Sequence, residues 1–160
     1  MILDKNLEFA DAISVANAAG TDLIGSQIDM EDVRDIGNGE PLYLVIQTAT
    51  EIITGGTAGT IKFQLASDAS AAIDTAGGAS IHFETGTFVT DDDAANSDEL
   101  NVGGVIACVA LPSEGVPYER YLGILAIVAT TTVTAGAINA FLTKDPAKYK
   151  AYAQSPNVVP

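Results

Sequence analysis

The sequence is poor in the side chains that most often carry out chemistry. Its 160 residues include one histidine, one cysteine and no tryptophan. A zinc centre takes three or four ligands, mostly His and Cys, so a histidine-built metal site cannot be assembled within one chain. A Ser-His-Asp relay also lacks support, because no Gly-x-Ser-x-Gly elbow accompanies His82. These absences predict a protein that is not an enzyme and that holds no cofactor.

Basic residues are scarce as well. Seven Lys and Arg stand against 21 Asp and Glu, which gives a formal net charge of −14 at pH 7. Residues 63–119 contain many acids but neither Lys nor Arg. Such a surface repels nucleic-acid phosphates and anionic lipid headgroups, so neither nucleic acid nor a membrane is expected as a partner. A protein that binds to this region should be basic or should be bridged to it by cations.

The single cysteine and the beginning of the chain indicate where the protein matures. Cys108 lies in the apolar run of residues 105–111, which predicts a buried and inert thiol. With one cysteine, no disulfide forms within the chain. Residues 1–8 lack the basic and apolar regions of a secretion signal. We therefore expect the protein to mature in a reducing cytoplasm.

The longest uncharged stretch covers residues 121–143 and is long enough to span a bilayer as a helix. Its middle is rich in β-branched Thr and Val, however, and Gly136 offers a turn. The pattern therefore predicts a hairpin of two strands and no membrane helix.

The rest of the chain has the signals of an all-β fold. Apolar and polar residues alternate with the period of two that is typical of strands, and glycine-rich turns separate the runs. This spacing predicts a β-sandwich of about eight strands, forming one domain over residues 1–160. The predicted strands are residues 9–15, 23–28, 42–47, 61–65, 80–84, 102–111, 121–128 and 137–142.

For some of these strands the sequence also predicts the pairing or the direction of the side chains. Residues 42–47 should form a central strand, and a glycine-rich turn should join them to residues 61–65 as a hairpin. Further along, Ile81 and Phe83 should face the core while His82 faces outward.

Three other segments are interpreted from composition and turn signals. Residues 102–111 are nearly all apolar and end at Pro112, as a strand buried on both faces would. Residues 145–152 begin with Asp and Pro, which suit a helix start, and predict a short C-terminal helical turn. Residues 153–160 are expected to form an extended tail.

The acidic loop is the best candidate for a metal site. Asp91, Asp93 and Asp98 supply the carboxylate oxygens that calcium prefers. Their spacing fails the EF-hand pattern, because no glycine stands at the sharp-turn position, so a solvated loop is the favoured interpretation. A glycoside hydrolase with paired carboxylates is a weaker alternative, since no aromatic platform for a sugar is evident. His82 is interpreted as a solvated or interface residue.

Three segments together are typical of a known family. They are residues 35–47, residues 119–124 after Leu111-Pro112, and residues 134–142 continued to Asp145 and Tyr152. In these segments the chain resembles the jelly-roll capsid cement (decoration) protein family of short-tailed bacteriophages, the Bordetella phage cement protein type. The resemblance covers most of the chain, while residues 67–97 match only in character.

The resemblance implies a jelly roll that is made in the host cytoplasm and sits on the outer capsid surface of the virion. It implies homodimers that contact several copies of the major capsid protein, and it implies no chemistry. The alternative is another virion jelly-roll module, such as a calcium-dependent tail or receptor-binding protein. A hydrolase that uses paired carboxylates is the third hypothesis.

One ion pair is expected to be structural. Arg120 stands at the start of a predicted strand and is the first basic residue after Lys62. We predict that Arg120 forms a buried salt bridge with an acid such as Asp35 or Glu40.

Overall fold

The computed structural model describes residues 5–31, 40–91, 96–146 and 149. Within them the chain forms nine β-strands and two short 3₁₀ helices. The elements are the helix Lys5–Leu7, β1 (Glu8–Ser14), β2 (Gly20–Asp29), β3 (Tyr43–Thr54), β4 (Gly59–Asp68), β5 (Ser80–Glu84), β6 (Phe88–Thr90), the helix Asp98–Leu100, β7 (Val105–Ala110), β8 (Tyr121–Ala129) and β9 (Val133–Thr143).

The strand order is that of a jelly roll. The first sheet has the order β1-β9-β3-β7, and the second has the order β2-β8-β4-β5 with β6 also paired to β4. All pairs are antiparallel. Because β1 pairs with β9, β2 with β8, β3 with β7 and β4 with β5, the chain forms a nested ribbon that is rolled into two sheets. The predicted all-β sandwich is confirmed, with nine strands in the described residues.

An aliphatic core lies between the two sheets. Ile61, Phe63 and Leu65 alternate along β4 and are fully buried, as their period of two predicts. Leu44 and Ile46 of the central strand β3 belong to the same cluster. Full burial of a Leu, Ile or Phe side chain contributes about 1.5–3 kcal/mol relative to its exposure. Side chains of this kind hold the sheets together without any tryptophan.

A second, smaller cluster covers the outer face of the second sheet. Ile73, from the loop between β4 and β5, is 4% exposed and packs with Leu125 of β8. Gly123 leaves room for this contact, because a Cβ at that position would clash with the Cδ1 atoms of Ile73 and Leu23. The loop is therefore part of the packed structure and covers one apolar patch of the sheet.

Both predicted hairpins are wrong in their pairing, although their strands are correct. β3 and β4 lie in different sheets, and so do β8 and β9. Gly136, the predicted turn residue, lies within β9, and the turn between β8 and β9 is residues 130–132. A short turn serves a hairpin and a crossing between two packed sheets equally well, so local turn signals do not decide the pairing. Residues 121–143 carry β8 and β9, and no helix in the described part of the chain is long and apolar enough to cross a membrane.

Two strands are less buried than predicted. A register shift between β4 and β5 skips His82, so Ile81 and Phe83 no longer share a face. Ile81 is 38% exposed, whereas Phe83 packs against the core. β7 lies at the edge of the first sheet instead of within it, and its Cys108 is partly exposed.

The end of the chain is described only in part. The Tyr149 N–H donates to the Pro146 carbonyl oxygen at 2.9 Å. The Tyr149 ring packs edge-on against Phe141, with 5.0 Å between the ring centroids. The rest of the predicted helical turn (147–148 and 150–152) and the predicted tail (153–160) lie outside the described residues.

The edge strands β1 and β2 contact each other and close one side of the sandwich. Gly25 of β2 permits their approach in two ways. Its φ is +72°, and a Cβ there would overlap the carbonyl oxygen of Phe9 in β1. Only glycine combines that left-handed conformation with the absence of a side chain.

Replacement of Gly25 by Ala should destabilise the protein more than replacement of Gly56 by Ala. Both glycines have a left-handed φ, +72° and +78°, but only at Gly25 does backbone lie within reach of the new Cβ. Left-handed strain costs about 1–2 kcal/mol at either position. Overlap with Phe9 should add at least ~1 kcal/mol to the loss of unfolding free energy in Gly25→Ala. Urea unfolding measures the difference, and equal losses in the two variants would contradict a tight β1–β2 contact.

Candidate functional site

The predicted calcium loop is only partly described, and Asp93 lies outside the described residues. Asp98 begins the short helix Asp98–Leu100, while the Asp91 N–H donates to Asn96 Oδ1 at 3.3 Å. The loop is anchored to β6 by Ser97, whose Oγ accepts from the Val89 N–H at 2.9 Å. Among the described residues, no three His, Cys, Asp or Glu side chains are grouped as metal ligands. No described side chain therefore joins Asp91 and Asp98 as a third ligand.

Arg120 forms an ion pair, but its partner is Asp29. Its Nε and Nη2 atoms donate to the two Asp29 carboxylate oxygens, each at 2.8 Å. The pairing of Asp29 with Tyr121 in the β2–β8 ladder brings the carboxylate beside Arg120. The predicted partner Glu40 instead binds Lys144 at 2.6 Å, and the other predicted partner, Asp35, lies outside the described residues.

The Arg120–Asp29 pair is also more exposed than predicted. The two side chains are 45% and 42% exposed, so solvent screens their attraction and the pair adds little to stability. The two hydrogen bonds nevertheless hold the carboxylate ionised. Together with the N–H of Glu31, they lower the pKa of Asp29 to about 2, and the same bonds raise the pKa of Arg120.

A groove with a volume of about 1050 Å³ lies beside this pair, where β1 and β2 meet. We call it the acidic groove. Its floor is apolar and its rim carries more acids than bases, so a partner with apolar side chains and Lys or Arg is complementary to it. Among the described residues, the floor consists of Leu7, Phe9, Ile28, Met30, Leu42, Leu122 and Leu142, and the rim includes Glu8, Asp11, Asp29 and Glu31 with one cation, Lys5.

His82 takes part in a hydrogen-bonded cluster at β5. Its Nε2 lies 2.7 Å from Ser67 Oγ, which also accepts from the Glu119 N–H at 2.9 Å. The Ser80 hydroxyl donates to Glu119 Oε1 at 2.7 Å. The imidazole stacks on Tyr118 with 3.9 Å between the ring centroids. The cluster thus fastens the segment before β8 across the edge strand β5.

The serine that contacts the histidine is buried. Ser67 is 0% exposed, so its Oγ is closed to a substrate even though it contacts the only histidine. The imidazole of His82 is half-buried, so it is only partly solvated, and the interface role that the sequence also allows remains a prediction. Burial lowers the pKa of His82, and the nearby charge of Glu119 opposes this shift without cancelling it.

A second groove, about 520 Å³ in volume, separates β7 of the first sheet from the end of β5 in the second. We call it the open side. It is lined by residues 105–109 and 83–86, among which Glu84 is the one charged residue. Hydrogen bonds from Gln64 and Lys62 lower the pKa of Glu84 and direct this carboxylate toward β4.

Sequence reasoning missed two elements of these surfaces. The Asp29 partner of Arg120 depends on the register of β2 and β8, which no local pattern encodes. The Ser67–His82 contact depends on a register shift that alternation alone does not reveal. The position of Asp29, directly after the predicted strand 23–28, was the one sequence signal that could have indicated the Arg120–Asp29 pair.

Comparison with known proteins finds one family. A family model described as Bbp16 matches residues 9–142. This range runs from the second residue of β1 almost to the end of β9, so it includes both sheets and most of the residues that line the two grooves. No curated protein matches the chain.

The pKa of Asp29 should depend on Arg120. In Arg120→Gln it should rise from about 2 toward the ordinary value of 3.8, but remain below 3.8 because the Glu31 N–H still donates to Asp29. A titration of the carboxyl carbons followed by NMR measures this shift. Because folding lowers this pKa, the pair stabilises the protein above pH 3.8, and the stabilisation is lost as pH falls from there to about 2.

The matched control is Lys62→Gln, which removes a cation from a different pair, that with Glu84 at 3.0 Å. The pKa of Asp29 should not change in that variant. A wild-type Asp29 that titrates near 3.8 would show that the Arg120 pair does not form in solution.

Stability should fall as the pH is lowered through the ordinary pKa of histidine, 6.5. His82 has a lowered pKa in the fold, so below pH 6.5 the unfolded chain takes up the proton more readily and unfolding is favoured. His82 is the only histidine. In His82→Gln, the decrease of the unfolding free energy with falling pH just below pH 6.5 should therefore disappear. Urea unfolding between pH 7.5 and 5 tests this, and an unchanged slope in the variant would contradict the assignment.

Proposed function

Because the chain belongs to the Bbp16 family, we propose that it is a phage capsid cement protein. It binds the outer surface of the head and stabilises contacts between major capsid protein subunits. The observation that carries this proposal is the family match over residues 9–142, which takes in nearly the whole sandwich. The name of the family suggests a Bordetella phage protein, and the resemblance of three segments to phage cement proteins supports the same role.

The side chains described here favour binding over catalysis. The one histidine is engaged by Ser67 and Tyr118, and the hydroxyl of Ser67 is buried. The Arg120 guanidinium is held by Asp29. These groups fasten loops and strands to each other, which is what a clamp on a shell requires. We therefore propose that the protein is not an enzyme.

The acidic groove is the surface that we assign to the capsid protein. Its apolar floor provides area to bury, and its acidic rim attracts Lys and Arg while it repels nucleic acid. A homodimer presents two such grooves. When one groove is bound, the second meets its own site at high effective concentration, so modest contacts become stable on a lattice of repeated subunits.

The alternative is a calcium-dependent tail or receptor-binding module. It would be favoured by a carboxylate cluster in the acidic loop, and the described residues of that loop, Asp91 and Asp98, do not form one. The structure thus offers no observation that prefers this alternative.

Purified protein should bind to expanded heads that lack it. Electron microscopy should show added density at repeated positions on the outer surface, and sedimentation with heads should give the bound fraction. Absence of binding at micromolar concentration would count against a cement protein.

The role of the acidic groove can be tested by charge reversal. The double variant Asp11→Lys with Glu31→Lys changes two exposed residues of the rim, and should weaken binding to heads by about tenfold or more. The matched control, Glu51→Lys with Glu114→Lys, makes the same change in net charge at exposed acids that do not line the groove. Equal loss in both variants would mean that net charge, and not the groove, governs binding.

A further inference from the structure

The edge of β7 is open in a way that the other sheet edges are not. In the described part of the chain, β7 pairs with β3 alone. The Leu111 N–H donates to the Leu42 carbonyl at 2.8 Å. Because hydrogen bonds alternate along an antiparallel strand, the N–H and C=O of the preceding residue, Ala110, point away from β3. Ala110 is also exposed as a residue.

The other edges are blocked by charge, irregular pairing or covering loops. β1 carries Glu8 and Asp11 and has two register shifts, and β2 carries Asp22 and Asp29 and has one. β5 is crossed by the His82–Tyr118 stack. Such features are the usual means by which proteins prevent strands from pairing with another chain. β7 has one register shift against β3, but it has no charge of its own.

The charge pattern around β7 points to a second copy of this chain as the partner. No charged residue occurs from Leu100 to Ser113, although the chain carries a net charge of −14. Two copies that approach each other through an acidic surface bring carboxylates together. Such juxtaposition of like charges costs several kcal/mol. At β7 the contact is between uncharged backbone and small apolar side chains. A basic partner would gain nothing there and is better matched by the acidic groove.

The open side adds apolar area to this edge. A strand that extends the first sheet beyond β7 places its inward-facing side chains over the groove next to Phe83. Val109 is only partly buried, although it packs on the core of its own copy. The same side chain of a second copy supplies an apolar group to this groove. Each copy therefore presents both the open side and the strand β7 that covers the open side of the other copy. A two-fold interface requires such a self-complementary surface.

We propose that β7 pairs antiparallel with β7 of a second copy across a two-fold axis, which joins the two first sheets into one continuous sheet. This inference rests on the proposed function, because it specifies how the cement homodimer forms. It leaves the acidic groove of each copy on the other side of the sandwich, where β1 meets β2, free to bind the shell.

The single cysteine provides a direct test on the native chain. Cys108 lies near the middle of β7, so a two-fold pair places the two Cys108 side chains opposite each other or nearly so, with Cβ atoms about 4.5–8 Å apart. A short bis-maleimide should convert most of the folded protein at micromolar concentration into a covalent dimer, and should not do so in denaturant. A chain that sediments as a monomer, or a dimer that is not linked through Cys108, overturns the proposal.

Substitutions at Ala110 test the hydrogen bonds. Ala110→Pro removes the outward N–H but leaves the Leu111–Leu42 bond to β3, and should raise the dissociation constant of the dimer about tenfold or more. Ala110→Val keeps the N–H and should dimerise as the wild type does. Circular dichroism and thermal melting establish that each variant is folded. If Ala110→Pro does not fold, Ala110→Asp keeps the N–H, adds an acid at the contact and should weaken the dimer instead.

Binding to heads separates this inference from the proposed function. A wild-type protein that decorates heads as a monomer overturns the β7 pair and leaves the cement function standing. A dimer that is linked through β7 but does not bind heads supports the β7 pair and contradicts the cement function. Cross-linking of Cys108 to the capsid protein on decorated heads, in place of a second copy, also overturns the β7 pair.

Discussion

The nested antiparallel pairing of the chain is the constraint on which the rest of the structure depends. β1 pairs with β9, β2 with β8 and β3 with β7, so each strand of the first half is held by a strand of the second half. Rolling this ribbon into two sheets buries one face of each strand and creates the aliphatic core. It also determines which strands become edges. The acidic groove lies where the edges β1 and β2 meet, and the open side lies beside the edge β7.

The two polar clusters described above join strands and loops of the jelly roll to each other. Arg120 joins the start of β8 to the end of β2 through Asp29, and the contacts of His82 hold the preceding segment across β5. The hydroxyl of Ser67, which contacts the histidine, is buried. A binding surface built on a packed β-sandwich suits a protein whose proposed task is to hold other subunits in place, because ordered strands need gain little further order when they bind.

The sequence predicts the strands better than it predicts their partners. Alternation identifies β4 and the burial of Ile61, Phe63 and Leu65, because side-chain direction along a strand is a local property. Pairing is not local, so both hairpins and the partner of Arg120 were mispredicted. The apolar composition of β7 was interpreted as burial, whereas the strand lies at an edge. An apolar strand is equally consistent with burial inside one chain and with a contact between two, and composition does not distinguish them.

The nested pairing also sets the order in which the chain can acquire its structure during synthesis. The Ala12 N–H donates to Asn139 Oδ1 across 127 positions of sequence, so the pairing of β1 with β9 must wait until β9 has been synthesised. Folds dominated by such distant contacts form slowly and leave strands exposed for longer. An excess of acids keeps unfinished chains apart through mutual repulsion. The negative charge thus protects the nascent protein as well as shaping the surface of the finished one.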